Sequence, residues 1–142
     1  MATINPYLKF NGDCEEAFDF YKAVFGGAFT TKMRFGDMPA DVPKPEGAGE
    51  GNKIMHVALP IGDGSILMGC DIPEMFGKGV QGNCFAVCIS AAGEAEADRL
   101  FNGLSAGGKV EMPLGKTFWG AYFGMFTDKF GVEWMVDCSV NQ

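Results

Sequence analysis

Residues 112–138 read MPLGKTFWGAYFGMFTDKFGVEWMVDC. Two runs rich in aromatic and β-branched residues, WGAYFGMFT (119–127) and VEWMVDC (132–138), flank a short connection ending in Gly131. That pattern predicts a β-hairpin. A second hairpin is predicted upstream, where KIMHVALPI (53–61) and SILMGC (65–70) are joined by GDG, with Gly64 in the place of Gly131. Each hairpin closes a longer series. The first series begins with the strand PYLKF (6–10), the turn NGD with Asp13 as a helix cap, and the helix EEAFDFYKAVFGG. Ala17, Phe20, Tyr21, Val24 and Phe25 recur in that helix at helical spacing, and Gly26 and Gly27 stop it. AFTTKMRFG (28–36) follows as a β-rich run, and the Pro- and Gly-rich stretch 37–52 is a loop long enough to serve as a flap. The second series runs through the strand CFAVCIS (84–90), the helix GEAEADRLFNGL (93–104), the short strand KVEMP (109–113) and the opening hairpin.

The order strand, helix, three strands therefore occurs twice, which is an internal repeat of one supersecondary unit. Its register follows by subtraction. Ala17, Phe20, Tyr21 and Val24 match Ala97, Leu100, Phe101 and Leu104 at 97 − 17 = 80, whereas Gly64 matches Gly131 at 131 − 64 = 67. The difference of 80 − 67 = 13 is about the excess length of the Pro/Gly loop over its counterpart PLGKTF. The expected fold class is α+β: two βαβββ modules, about 1–72 and about 82–140, in a single domain.

Composition narrows the function. A chain of 142 residues with 47% hydrophobic residues can bury a core. Eleven Lys and Arg against 18 Asp and Glu make an acidic surface that repels a phosphate backbone, so no nucleic-acid partner is expected. No apolar run approaches the roughly 18 residues needed to cross a bilayer. MATINPYLKF has no basic region followed by an apolar stretch, so no membrane partner and a cytoplasmic location are expected. The five cysteines form no CxxC pair. Cys84 and Cys88, on one expected strand, stand roughly 13 Å apart and do not suit a shared zinc. GDGSILMG joins two strands instead of opening a helix, so it is a hairpin turn and not a phosphate cradle.

The segments PYLKFNGDCEEAFDFYKAVFGG, HVALPIGDGSILMGCD and MPLGKTFWGAYFGMFTDKFGVEWMVDC closely resemble the PhnB-like branch of the vicinal oxygen chelate superfamily, which includes glyoxalase I, bleomycin-resistance proteins, fosfomycin-resistance enzymes and extradiol dioxygenases. The resemblance implies that the two βαβββ modules form a cup-shaped, curled mixed sheet with helices outside, and that the chain forms a homodimer. In metal-dependent relatives the ligands come from the first and last strands of each module, commonly histidine and glutamate, the latter four residues after a turn glycine. Carried onto this chain, those positions are Met68 and Met135, with the first-strand positions near Pro6 and Cys84. None is His, Glu or Asp, and a hard or borderline divalent ion needs oxygen or imidazole donors. No metal and no cofactor are therefore expected. Two methionines and a cysteine suit only a soft ion such as Cu(I), and Met more commonly fills irregular apolar cavities. PhnB-like chains often carry a demethylubiquinone methyltransferase label, which this sequence gives no physical reason to accept.

Strand alternation names the other groups facing the cup. His56, Ala58 and Pro60 oppose the apolar face Met55, Val57 and Leu59; Ile66, Met68 and Cys70 share the cup side. By the repeat, Trp119, Ala121, Phe123 and Met125 do so too, and Glu133 and Asp137 have the parity of Met135. The expected ligand-binding residues are Met68, Cys70, Trp119, Phe123, Met125 and Met135, an apolar and aromatic set suited to a small-molecule ligand. His56, the one histidine, and Glu133 are the candidate acid/base groups. Each also has a plain reading: His56 as a hydrogen-bonded structural residue, Glu133 as half of an ion pair across a dimer interface. Three functions compete: a metal-independent binding or sequestering protein, an enzyme using His56 or Glu133 as acid/base, and a divalent-metal enzyme with atypical ligands drawn from His56, Glu133 and Asp71.

Overall fold

The computed structural model describes residues 1–139, so position 140 of the expected second module lies outside them. The chain divides into two compact units, Met1–Val80 and Gln81 onward. Each is a βαβββ module with one helix and one four-stranded mixed sheet. In the first, β1 (Tyr7–Phe10), α1 (Cys14–Phe25), β2 (Thr31–Arg34), β3 (Ile54–Ile61) and β4 (Ser65–Asp71) form a sheet of order β1-β4-β3-β2. In the second, β5 (Val87–Ser90), α2 (Glu94–Ser105), β6 (Lys109–Lys116), β7 (Ala121–Thr127) and β8 (Glu133–Ser139) form the order β5-β8-β7-β6. In both sheets the first strand runs parallel to the last and the other pairings are antiparallel.

Both repeat offsets recur in the geometry. The helices are each 12 residues long and displaced by 94 − 14 = 80. The hairpins agree rung by rung at an offset of 67: Val57↔Gly69, Ala58↔Met68, Leu59↔Leu67 and Pro60↔Ile66 become Gly124↔Val136, Met125↔Met135, Phe126↔Trp134 and Thr127↔Glu133. Gly64 and Gly131 sit at φ 100° and 88°, the left-handed region where a Cβ is costly, so these turns favour glycine.

Each core lies between a helix and one face of its sheet. The α2 stripe is the expected Ala97, Leu100, Phe101 and Leu104, packed with Phe126, Trp134 and Val136. On α1 the buried stripe is Cys14, Ala17, Phe18 and Tyr21, so Phe18 takes the central place expected of Phe20. Gly69 explains the choice. A Cβ there would lie 2.6 Å from Phe18 Cε1, and the missing side chain is the slot the ring fills. Gly124 serves Phe101 in the same way at 2.7 Å.

Three further expectations are corrected. Asp13 makes no capping hydrogen bond; Asp71, arriving on β4, accepts the Cys14 and Gly12 amides instead. β5 starts at Val87 instead of Cys84, and β6 extends through Pro113 to Lys116, its register shifted between Val110, Met112 and Gly115. Bulges on an edge strand accommodate a proline that has no ladder N–H to give. The Pro/Gly loop is pinched at its base, where Gly36 meets Gly51 backbone and Phe35 N–H donates to Lys53 O at 3.0 Å. Buried Glu50 secures its far end through Lys53 at 2.6 Å and the Glu74 amide at 2.8 Å, and these partners, Lys53 first, hold its carboxyl below the ordinary range.

Candidate functional site

With the helix on one face, each sheet presents a second face whose larger side chains remain half-buried or exposed, the small Ala58 and Ala121 being buried. In the first module, Leu67, Gly69 and Asp71 turn toward the core while Ile66, Met68 and Cys70 turn away from it. β1 alternates likewise: Leu8 and Phe10 are buried, Tyr7 and Lys9 are not. Parallel pairing then puts Tyr7 beside Met68 and Lys9 beside Cys70, while β2 places Met33 beside His56.

Here the face acquires its polar center. Tyr7 Oη and His56 Nδ1 are 3.2 Å apart, with the donor set by the imidazole tautomer, and the two rings stack at 5.7 Å and 29°. Burial, followed by the adjoining Cys70 thiol, pushes the Tyr7 phenol upward, so at neutral pH it keeps its proton and is not a phenolate. Burial also raises the Cys70 thiol, against the opposing hydrogen bond from Tyr7 and the charge of Lys9. An un-ionised thiol is a poor nucleophile. Of the residues chosen from sequence, His56, Met68 and Cys70 thus share one face, and Tyr7 joins them.

Asp71 does not. It is 1% exposed on the opposite face, where Oδ1 accepts the Gly12 and Cys14 amides at 3.0 and 2.9 Å and Oδ2 accepts the Ile54 amide at 2.9 Å. A carboxylate committed on both oxygens to the start of α1 and of β3 is a structural strut and cannot join His56 at a metal. Within the described residues, no three His, Cys, Asp or Glu side chains gather to hold an ion.

In the second module, Met135 pairs with Met125 on one side and Cys88 on the other, and Met125 pairs with Met112. The next row carries Phe123, Asp137 and Ser90. Glu133 opens β8 beside Thr127, half-buried, on the face of Met135 and without a hydrogen bond or ion pair among the described residues. Burial, then the Asp137 charge, raises the Cys88 thiol. Trp119 is not a strand residue. It stands in the β6–β7 turn, 56% exposed, packing edge-on against Phe118 at 5.0 Å and Phe123 at 5.9 Å. Phe123, Met125, Met135 and Glu133 therefore share a face, and Trp119 reaches it through the Phe123 ring.

The first-strand positions also move. Tyr7, not Pro6, stands beside Met68, and Cys88, not Cys84, beside Met135. Pro6 contributes only its carbonyl, which accepts the Met68 amide at 3.1 Å. The alternation of Leu8 and Phe10 with Tyr7 and Lys9 was the signal available in sequence for Tyr7.

A family model described as the Glyoxalase/Bleomycin resistance protein/Dioxygenase superfamily matches residues 3–136. The chain belongs to this superfamily. Protein YjdN of Escherichia coli (strain K12) is 34% identical, covering 98% of this chain and 97% of its own. The crystal structure of protein PA1353 from Pseudomonas aeruginosa shares 45% identity at a TM-score of 0.83, with 98% of each chain covered. The PhnB protein from Bacillus cereus shares 26% identity at a TM-score of 0.72 over 97% of this chain and 100% of that one. The superfamily's divalent-metal positions, carried onto these strands, hold Tyr7 with Met68 and Cys88 with Met135. Thioether and phenol are not usual ligands of a hard or borderline divalent ion, and the Cys88 thiol, a zinc-type ligand, does not complete a site alone. Among the described residues, no helix is long and apolar enough to cross a membrane.

Proposed function

We propose that the chain binds a small organic molecule against the helix-free face of a sheet, without a divalent metal, and sequesters it. The observation that carries this reading is the Tyr7–His56 pair, 3.2 Å apart, beside Met68 and Cys70. A face of thioether, thiol and aromatic groups with one oriented polar pair is the composition of a site that gains affinity from apolar burial and orientation from a hydrogen bond. Met68 and Cys70 are the apolar contacts of the first module's face in this reading, and Phe123, Met125, Met135 and Trp119 those of the second module's face. A cytoplasmic homodimer with no nucleic-acid partner completes it, since each sheet ends in edge strands that another chain would cover.

A second reading makes His56 an acid/base catalyst, because an imidazole held by a phenol has a fixed orientation and one nitrogen left for a substrate. Glu133 is the other candidate base. Wild type, Tyr7→Phe, His56→Ala and Glu133→Gln would be screened by thermal shift against a library of small aromatic and aliphatic acids, amines and quinones, and every hit assayed for turnover. Binding weakened by Tyr7→Phe and His56→Ala with no turnover is expected. Turnover abolished by His56→Ala or Glu133→Gln would replace sequestration with catalysis, and a stoichiometric divalent metal lost on mutating His56 would overturn both.

A further inference from the structure

The strand register of the second module assembles something that no local stretch of sequence displays. Met112, Met125, Met135 and Cys88 lie on four successive strands in one transverse row: β6 pairs Met112 with Met125, β7 pairs Met125 with Met135, and β8 pairs Met135 with Cys88. All four are on the face away from α2, because Phe126, Trp134 and Val136 alternate with them into the core. None of the four is sealed in. Met112 is 42% exposed, Met125 and Met135 are half-buried, and Cys88 is exposed.

We infer that this row is a binding site for a soft monovalent cation, Cu(I) or Ag(I), with Met125 and Met135 as central ligands flanked by the Cys88 thiolate and the Met112 thioether. Neighbouring strands stand about 4.8 Å apart, a gap that an unbranched side chain with three rotors leans across. Three adjacent donors of the row can therefore converge on one ion above Met135. Thioether and thiolate sulfur favour Cu(I) over Mg²⁺ or Mn²⁺ by softness, and a single thiolate among thioethers lacks the further Cys, His or carboxylate ligands that Zn²⁺ takes, so the donor set suits Cu(I) or Ag(I). Binding through Cys88 exchanges a proton for the ion: the S–H bond breaks, the sulfur–metal bond forms and one proton passes to water, with no change of oxidation state. The inference shares Met125 and Met135 with the apolar contact set of the organic-ligand reading but uses neither Tyr7 nor His56, the pair that carries that reading, so the two can fail separately.

The test uses the full chain with Cys70→Ser and Cys84→Ser, so that Cys88 is the one cysteine outside the two cores. Cu(I), supplied anaerobically as its acetonitrile complex, is titrated against a competing bicinchoninate chelator; Ag(I) replaces it for NMR of methionine methyl groups. One ion per chain is expected, with the Met125 and Met135 methyl signals shifted and those of Met33 and Met68 unmoved. Met125→Leu/Met135→Leu keeps the volume and is expected to weaken retention about tenfold or more, equivalent to about 1.4 kcal/mol. Cys88→Ser is expected to abolish proton release. Equal retention by the double leucine variant with unchanged circular dichroism, or methyl shifts confined to other methionines, would overturn the assignment. Copper held by wild type but lost from the Cys70→Ser/Cys84→Ser background would also overturn it.

Discussion

Replacing Asp71 with alanine tests the claim that this carboxylate is a strut and not part of a reactive site. Three backbone N–H groups donate to it at 2.9–3.0 Å: Gly12 and Cys14 at the start of α1, and Ile54 at the start of β3. Cys14 and Ile54 are 0% and 1% exposed, so water does not readily replace the lost acceptor, whereas Gly12 is exposed and finds one. Two orphaned buried amides cost about 1–3 kcal/mol each. The negative charge at the helix N-terminus contributes roughly another 0.3–1 kcal/mol. Relief of the buried carboxylate's own desolvation offsets part of this, which leaves a net loss of about 3 kcal/mol. With a urea dependence of about 1–3 kcal/mol per molar, the unfolding midpoint should fall by about 1–3 M at unchanged slope. Asp137→Ala, on the half-buried outer face of β8, removes a carboxylate with no hydrogen bond among the described residues and should stay within about 0.5 kcal/mol of wild type. An Asp71→Ala midpoint within about 0.3 M of wild type would refute the reasoning, as would a wild-type midpoint that falls by the same amount when a chelator is added.

Gly69→Ala and Gly124→Ala should each lose about 1–3 kcal/mol in urea unfolding, because the added carbons meet Leu8 O at 2.7 Å and Leu114 Cα at 2.9 Å, backbone atoms that cannot rotate away. Gly115→Ala, with nothing within 4 Å, should be neutral; equal losses at all three would point to strand propensity instead. Asp128→Ala removes the acceptor of the Trp134 indole N–H at 2.8 Å and of the Phe130 and Val132 amides at 2.8 and 3.0 Å, and should lower Tm by about 5–10 °C, read from Trp134 fluorescence in a Trp119→Phe background. Glu15 is held near 2, below its ordinary 4.5, by Arg34 and then Lys32. A depressed carboxylate stabilises the fold above pH 4.5 and loses that contribution as pH falls toward 2. Acid unfolding of Glu15→Gln should therefore be less steep across that window, by a small margin because the group is about 40% exposed. An unchanged acid profile would mean that solvent screens the pair completely.

The repeat, the two modules and the hairpin registers were legible in the chain because they are local properties. A turn glycine fixes which residues face each other, and alternation fixes which face they occupy. Hence Met68 and Met135, four residues after Gly64 and Gly131, fall on equivalent rungs by sequence spacing alone. Trp119 failed the same logic because β7 begins two residues later, at Ala121, and alternation has no meaning in a turn. Tertiary structure decided what depends on segments far apart in the chain. The parallel register of β1 against β4, across some 60 residues, put Tyr7 beside Met68 and within reach of His56, and that of β5 against β8 put Cys88 beside Met135. No local pattern encodes a parallel register, since the strands share no turn. The choice of Phe18 over Phe20 and the arrival of Asp71 at the start of α1 have the same origin: both were settled by what β4 offered to a helix more than 40 residues upstream.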